Sequence, residues 1–432
     1  MKKFFILGLL LSTTSFLFSQ NIDALINSKE VERIERTLSS DDMRGRRTFT
    51  PDIDRAADFI ATEFNAIGLQ KWDGNYLQEF TLVRPKFIKV SAKFDGDSID
   101  PKNILVITCQ PDLRIDQRSG YEVVYIKAGA NLRKEASGFV QSNKNLLVLV
   151  DENYANDFQR LNFLRRSIFK TDKSVVFLLN SYVPKKFVIE AIHEISEQKL
   201  ANVVGVIPGK GLPTGQAGKK DEFVVFSGHY DHLGVGKQVD GDSIYNGAND
   251  DAAGTTAVIM LAKYFKALND NERTLVFVAF TAEEIGGYGS QYFSRQVDAD
   301  KVMAMFNIEM IGTESKWGEN SAYITGYEKT DMGQILQKNL EGTDFTFYPD
   351  PYPAQQLFYR SDNATLARLG VPAHTISTSK MDSEPNYHKV SDEIETLDME
   401  NMAMIIKSIA LSSKSIIAGK ETPTRVKVEE LR

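Results

Sequence analysis

Side chains of metal-binding type recur in this chain where hydrophobic runs end. Phe223-Val224-Val225-Phe226 leads through Ser227-Gly228 into His229-Tyr230-Asp231-His232, Leu275 to Phe280 leads into Thr281-Ala282-Glu283-Glu284, and Met303 to Ile308 leads into Glu309. Asn246-Gly247-Ala248-Asn249-Asp250-Asp251 opens directly onto a helical pattern, and Pro385-Asn386-Tyr387-His388 lies in a loop before the last one. Zinc takes imidazole and carboxylate ligands in low coordination number, and a catalytic site keeps one position open for water. Two such ions, ~3.5–4 Å apart, need a bridging ligand. The candidate ligands are therefore His229, Asp250, Glu284, Glu309 and His388, with the short Asp250 suited to the bridge. The carboxylate of Asp231, two residues from His229, is placed to orient its imidazole. Glu283 and Glu284 can divide the work, one binding metal while the other takes a proton from water.

Taken singly, each motif has a plainer explanation. An Asp-Asp pair before a helix is usually an N-cap, Glu-Glu after a strand a solvated turn, and His-x-Asp a surface pair. It is the joint occurrence, each at a strand end, that points to a site. His193 reads as part of a surface helix and His374 as part of a strand, both structural. His232 fits either role.

The elements that must position these residues begin near 200. Strand 222–227 precedes helix 251–268, strand 274–280 precedes helix 288–296, strand 302–309 follows, and helix 397–417 closes the domain. Such alternation predicts a three-layer α/β/α sandwich on a mixed, largely parallel central sheet, which binds ligands at the carboxyl ends of its strands. Before it, helices are expected at 22–39 and 53–67, joined by the charged loop Asp42-Met43-Arg44-Gly45-Arg46-Arg47, read as a solvated connection. From 86 to 196, short strands (104–108, 123–126, 146–150, 175–179) and one basic helix near 155–170 suggest an inserted α/β domain without clustered metal-type residues. The domain plan is a segment 21–85 belonging to the catalytic domain, the insert 86–196, the catalytic domain 197–418 and a mobile tail 419–432.

At the start, Lys2 and Lys3 precede a nearly unbroken apolar or small stretch, Phe4 to Phe18. This is the pattern of a secretory signal peptide over residues 1–20, and the apolar run is short for a membrane span. It predicts a secreted or periplasmic protein with no membrane anchor once the signal is removed. The net charge of −7 becomes more negative without those two lysines, which argues against a nucleic-acid partner. With Cys109 as the one cysteine, no disulfide framework within the chain is possible. There is no Gly-x-Ser-x-Gly elbow, no phosphate-binding Gly-rich loop, no zinc-finger cysteine pair and no His-Glu-x-x-His.

The segments Ser227–Gly234, Gly247–Gly254, Phe280–Gly286, Asn307–Gly312, Arg360–Asn363 and Tyr387–Asp392 resemble the co-catalytic zinc aminopeptidases of peptidase family 28, which also contains glutamate carboxypeptidases and glutaminyl cyclases. The likeness covers about 200–417, and the stretch 30–80, with its Asp-x-x-Arg-Gly-Arg loop, resembles family members too. The resemblance implies a zinc exopeptidase fold with two zinc ions per chain. His229 and Glu309 would hold one ion, Glu284 and His388 the other, with Asp250 between them. It makes Glu283 the general base, has Asp231 orient His229, and places Tyr387 and Arg360 towards the substrate. Most relatives carry Asp at the Glu309 position and often His at the Asn363 position. The expected activity is hydrolysis of N-terminal residues from peptides. The rivals are a glutaminyl cyclase or carboxypeptidase of the same fold, and a binding protein that has lost catalysis. His229 disfavours the cyclase, which uses one zinc and lacks the first histidine, and the complete ligand set with Glu283 disfavours the binding protein.

Overall fold

A computed structural model of the chain describes residues 22–210 and 218–431; the expected export signal at 1–20 lies outside them. The described residues fall into two compact units. One holds those up to 46, 58–76 and those from 203 onward; the other holds 47–57 and 77–202.

The first unit is built on a mixed, largely parallel sheet. Strands Ala373–Ser377, Val302–Ile308, Phe223–His229 and Thr274–Phe280 lie side by side in that order, all parallel. Residues 203–207 pair antiparallel with Thr274–Phe280, and Gln70–Lys71 pair antiparallel with residues 205–206. At the other side Ser321–Ile324 runs antiparallel to Ala373–Ser377 and parallel to Thr346–Pro349.

Side chains alternate along these strands, so each face of the sheet has its own core. Phe226 stacks on Phe277 and Phe306 and meets Phe265 of helix Ala253–Leu268 on one face. Val225, Val276, Val278 and Met305, one residue out of phase, pack with Phe293 of helix Tyr288–Gln296 and Leu366 of helix Asn363–Ala367 on the other. Helices Ser28–Leu38 and Met399–Ser412 join Ala253–Leu268 in the first helical layer. This is the three-layer sandwich that the alternating pattern implied.

Chain order locates the crevice. From Phe223–His229 the chain passes through helix Ala253–Leu268 to Thr274–Phe280 on one side. It then returns through helix Tyr288–Gln296 to Val302–Ile308 on the other side. The path reverses at the carboxyl end of Phe223–His229, the point at which open α/β sheets hold ligands.

The second unit carries a four-stranded sheet in the order Ile104–Ile107, Val175–Leu179, Leu146–Val150, Glu122–Ile126. Leu146, Val148 and Val150 point into one cluster, and Leu147 and Leu149 into another, so the central strand is buried on both faces. The segment expected as an insert, 86–196, falls within this unit.

Several expectations about elements are corrected. His193 lies not on a surface helix but on strand Phe187–Ile207, where it is buried against Phe87. Burial, aided by the Arg165 charge, lowers its pKa to about 4. The period-2 run from Phe187 to Glu194 was the strand signal. The basic helix near 155–170 is a 3₁₀ helix, Phe158–Arg165. The first helix is two, Ile22–Leu25 and Ser28–Leu38, where Asn27 caps the second by accepting the Glu30 amide. The last is likewise two, Met399–Ser412 and Lys414–Ile417. The tail beyond Gly419 lies against the first unit: Val426 is buried and donates its N–H to Gly370 O, while the Arg425 guanidinium donates to Val302 O.

Candidate metal centre

His229 ends its strand with its backbone fixed, because its N–H donates to Asp251 Oδ2 at 3.0 Å. Its ring Nδ1 lies 3.1 Å from the carbonyl oxygen of Asp231. A carbonyl only accepts, so Nδ1 carries a proton and Nε2 is the ring nitrogen left to face the cleft and Asp250. The expected role of Asp231 is therefore corrected. Its backbone carbonyl orients the ring, while its nearest carboxylate oxygen stands 3.9 Å away. That carboxylate instead accepts the amides of Glu283 and Glu284 at 3.0 and 3.3 Å, fixing the turn after strand Thr274–Phe280.

Asp250 faces two imidazoles at once. Its Oδ1 lies 3.2 Å from His229 Nε2 and its Oδ2 lies 3.2 Å from His388 Nε2. Burial pushes its pKa up, but the two histidines outweigh this and hold the carboxyl well below the usual range. The loop carrying it does not start a regular helix; helix Ala253–Leu268 begins two residues after Asp251. Asp251 is a structural clamp, its Oδ1 accepting the amides of Gly254 and Met310. Gly254 is required by close approach, since a Cβ there would lie 2.1 Å from Ile308 O.

Glu284 Oε1 lies 3.2 Å from His388 Nε2 and 2.9 Å from His232 Nδ1. Glu309 follows its strand with its amide bonded to Ile376 O, and burial raises its carboxyl to about 7. Burial likewise pushes Glu283 well above the usual range; the charge of His229 opposes this, and those of Glu309, Asp362 and Glu284 add to it. Tyr387 stacks on His388 with ring centroids 3.9 Å apart.

The structure thus brings His229, Asp250, Glu284, Glu309 and His388 together, with Glu283, Tyr387 and Arg360 lining the same cleft. Arg360 sits at the exposed rim and bonds Gln355. Asn363 is buried, donating to Phe358 O and Ala373 O and accepting from Thr375, so it supports the fold rather than facing a substrate. His374 is structural as expected, donating Nδ1–H to Thr325 O.

The donor set fits a metal. His232 Nε2 and Glu309 Oε2 are buried without a hydrogen-bond partner, and His229 Nε2, His232 Nδ1 and Glu284 Oε1 face only other members of the donor set, at 2.9–3.2 Å. Lone pairs left unsatisfied in a protein interior are costly unless a cation collects them. Among the described residues, two groups offer ligand atoms within 4.8 Å of one another: His229, Asp250 and Glu309; and His232, Asp250 and Glu284. Both contain Asp250, and both lie in the first unit. His232, ambiguous in the sequence, is thus a candidate beside His388. Sequence reasoning also passed over Asp392, whose two oxygens accept the amides of Asn249 and Asp250; its signal was the Tyr387–Asp392 segment itself.

Residues 202–412 match the profile of peptidase family M28. They form an M28 domain. The match makes the chain a hydrolase of the metallopeptidase class. A probable leucine aminopeptidase of Trichophyton verrucosum is 25% identical over 324 residues, covering 70% of this chain and 83% of the relative. Among solved structures, an aminopeptidase from Aneurinibacillus sp. strain AM-1 is similar with a TM-score of 0.53 at 17% identity, over 95% of this chain and 98% of that one. A zinc aminopeptidase from Bacillus subtilis is similar with a TM-score of 0.53 at 16% identity, over 92% and 97%. At these identities the solved structures show that the M28 domain shares their fold. The M28 match includes every cleft residue named above, from His229 to His388.

Proposed function

We propose that this M28 hydrolase is an aminopeptidase that removes N-terminal residues from peptides, working with two zinc ions and Glu283 as general base. The observation that carries this reading is Asp250, with one oxygen towards His229 and the other towards His388, each at 3.2 Å. The residues to hold one ion are His229, Glu309 and Asp250, and those for the other are Asp250, Glu284 and His388, with His232 beside them. Zinc relatives support the metal, and aminopeptidase relatives support the reaction. Bound zinc supplies Lewis acidity, polarising the scissile carbonyl and acidifying water.

The chain's own residues supply the rest. Glu283 takes the proton of the attacking water and passes it to the leaving amine. The Asp231 carboxylate keeps Glu283 and Glu284 on their separate headings by holding both amides. Tyr387 places its hydroxyl for the oxyanion, and Arg360 at the rim contacts the substrate.

The same reading has the chain exported, on the basic start and apolar run of residues 1–20. No described helix is long and apolar enough to cross a membrane.

The test is hydrolysis of aminoacyl amides with a free or a blocked amino terminus, with the metal content of the same protein measured. Cleavage of the free substrates alone, by protein holding two zinc ions, is the expected result. Cleavage that ignores the amino terminus, or full activity with one ion, overturns it.

A further inference from the structure

The segment Asp41–Arg46 is not a solvated connection. It forms a tight, kinked turn, with Arg44 and Gly45 in the left-handed region, in which Met43, Gly45 and Arg46 are buried. Arg46 is fully enclosed, and its partners are backbone carbonyls: Nε donates to Tyr230 O at 2.8 Å, Nη1 to Leu38 O and Asn246 O at 2.6 Å each, and Nη2 to Gly247 O at 2.9 Å. Its own carbonyl accepts the His232 amide at 3.4 Å.

These partners have a pattern. Tyr230 lies between His229 and Asp231, and the His232 amide is two residues further on. Asn246 and Gly247 open the loop that ends at Asp250. Leu38 O is one of the free carbonyls at the end of helix Ser28–Leu38, where a cation is favoured. One rigid, planar fork therefore ties both ligand-bearing loops to the same helix end. The neighbouring turn leaves no slack. Gly45 has φ +66, and a Cβ there would lie 2.2 Å from Tyr245 O and 2.8 Å from Gly234 Cα. Asn246 repeats the tie from the other side, its Nδ2 donating to Ser39 O and Asp41 Oδ1.

We propose that Arg46 is a positioning residue that sets the separation of the His229–His232 loop and the Asp250 loop, and through it the affinity of the centre for metal. The inference rests on the metal-site reading above. Lysine at 46 keeps the charge but not the planar set of five donors, so it can hold some of these carbonyls and not all. Fixing ligands from behind is worth tenfold or more in metal affinity at other metal centres.

Arg273 provides the control. It is equally buried in the same unit and also bonds backbone carbonyls, of Ile416 and Glu421, but touches neither ligand loop. The experiment is titration of metal-free full-length protein with Co²⁺, followed by visible absorption, on the wild type, Arg46→Lys and Arg273→Lys, with thermal unfolding of each. The expected result is two Co²⁺ in the wild type. Arg46→Lys is expected to show at least a tenfold loss of affinity and an altered spectrum, while Arg273→Lys loses stability and keeps both metal properties. Equal metal affinity in wild type and Arg46→Lys overturns the inference, as does an equal loss in the two variants. If Arg46→Lys is not recovered folded, Gly45→Ala takes its place, and unchanged affinity there overturns it too. A wild type that takes up no Co²⁺ removes the metal-site reading and this inference together.

Discussion

Asp392 holds Asp250 by its backbone. The Asp250 amide donates to Asp392 Oδ2 at 3.0 Å while the adjacent Asn249 amide donates to Oδ1 at 2.8 Å. Burial is the main cause that lifts the Asp392 carboxyl to about 6, and the two amides oppose it. Asparagine at 392 keeps one acceptor and turns an NH₂ towards the second amide. Asp392→Asn is expected to cost about 1–3 kcal/mol for the buried donor left unpaired. It is also expected to weaken metal binding ~10-fold by loosening Asp250. Thermal unfolding and metal titration on one preparation check both.

Glu283 and Glu284 are to separate cleanly by substitution. Glu283→Gln keeps shape and removes the proton acceptor, so metal content is retained and kcat falls ~10²-fold or more. Glu284→Gln instead lowers metal affinity, because its Oε1 faces two imidazoles. Metal loss in Glu283→Gln with retention in Glu284→Gln means that the roles are exchanged.

His229→Ala is expected to reduce the metal content from two ions to one. The remaining group of Asp250, Glu284, His232 and His388 keeps its donors. Elemental analysis after gel filtration reads this directly, and loss of both ions together refutes the division.

Glu35, outside the ligand set but within reach of the Arg46 and Asp392 charges, gives a pH prediction. It is fully buried, Thr256 donates to its Oε2 at 2.9 Å, and its Oε1 has no partner. Burial raises its pKa to about 8, against 4.5 for the free group. A carboxyl that is protonated when folded and ionised when unfolded contributes stability that is complete below about 4.5. That contribution declines as pH rises and is lost through about 8. Glu35→Gln removes this dependence. The variant is expected to gain in melting temperature relative to wild type between pH 5 and pH 8. A growing advantage of the wild type over that range means that Glu35 is ionised in the folded protein.

Local pattern carried a good deal of this. Strand Thr274–Phe280 is apolar from Leu275 onward because both of its faces are buried, and that run was readable. The same pattern failed where one period imitates another or where a cap intervenes. His193 sits on an alternating strand that a charged, Ala-containing stretch disguised as helix. Asn27 and Ser413 divide helices whose apolar spacing continues across the break. The charged segment ending at Arg46 looked solvated because composition does not show that a guanidinium has four carbonyl partners, three of them, at Tyr230, Asn246 and Gly247, distant in the chain.

By itself the sequence determined which residue types stand at the strand ends. His229, Glu283, Glu284 and Glu309 each follow a hydrophobic run, and the order of strands and helices brings those ends to one crevice. Only the tertiary structure decided how the side chains meet there. It turned the two oxygens of Asp250 to different histidines, brought His232 beside Glu284, and gave the orientation of His229 to the Asp231 carbonyl rather than the carboxylate. The physical reason is distance. A residue's type and its place on an element follow from local periodicity, but separations near 3 Å between residues far apart in sequence depend on parallel strand register and on loops anchored elsewhere, by Asp392 and Arg46. No local pattern encodes them.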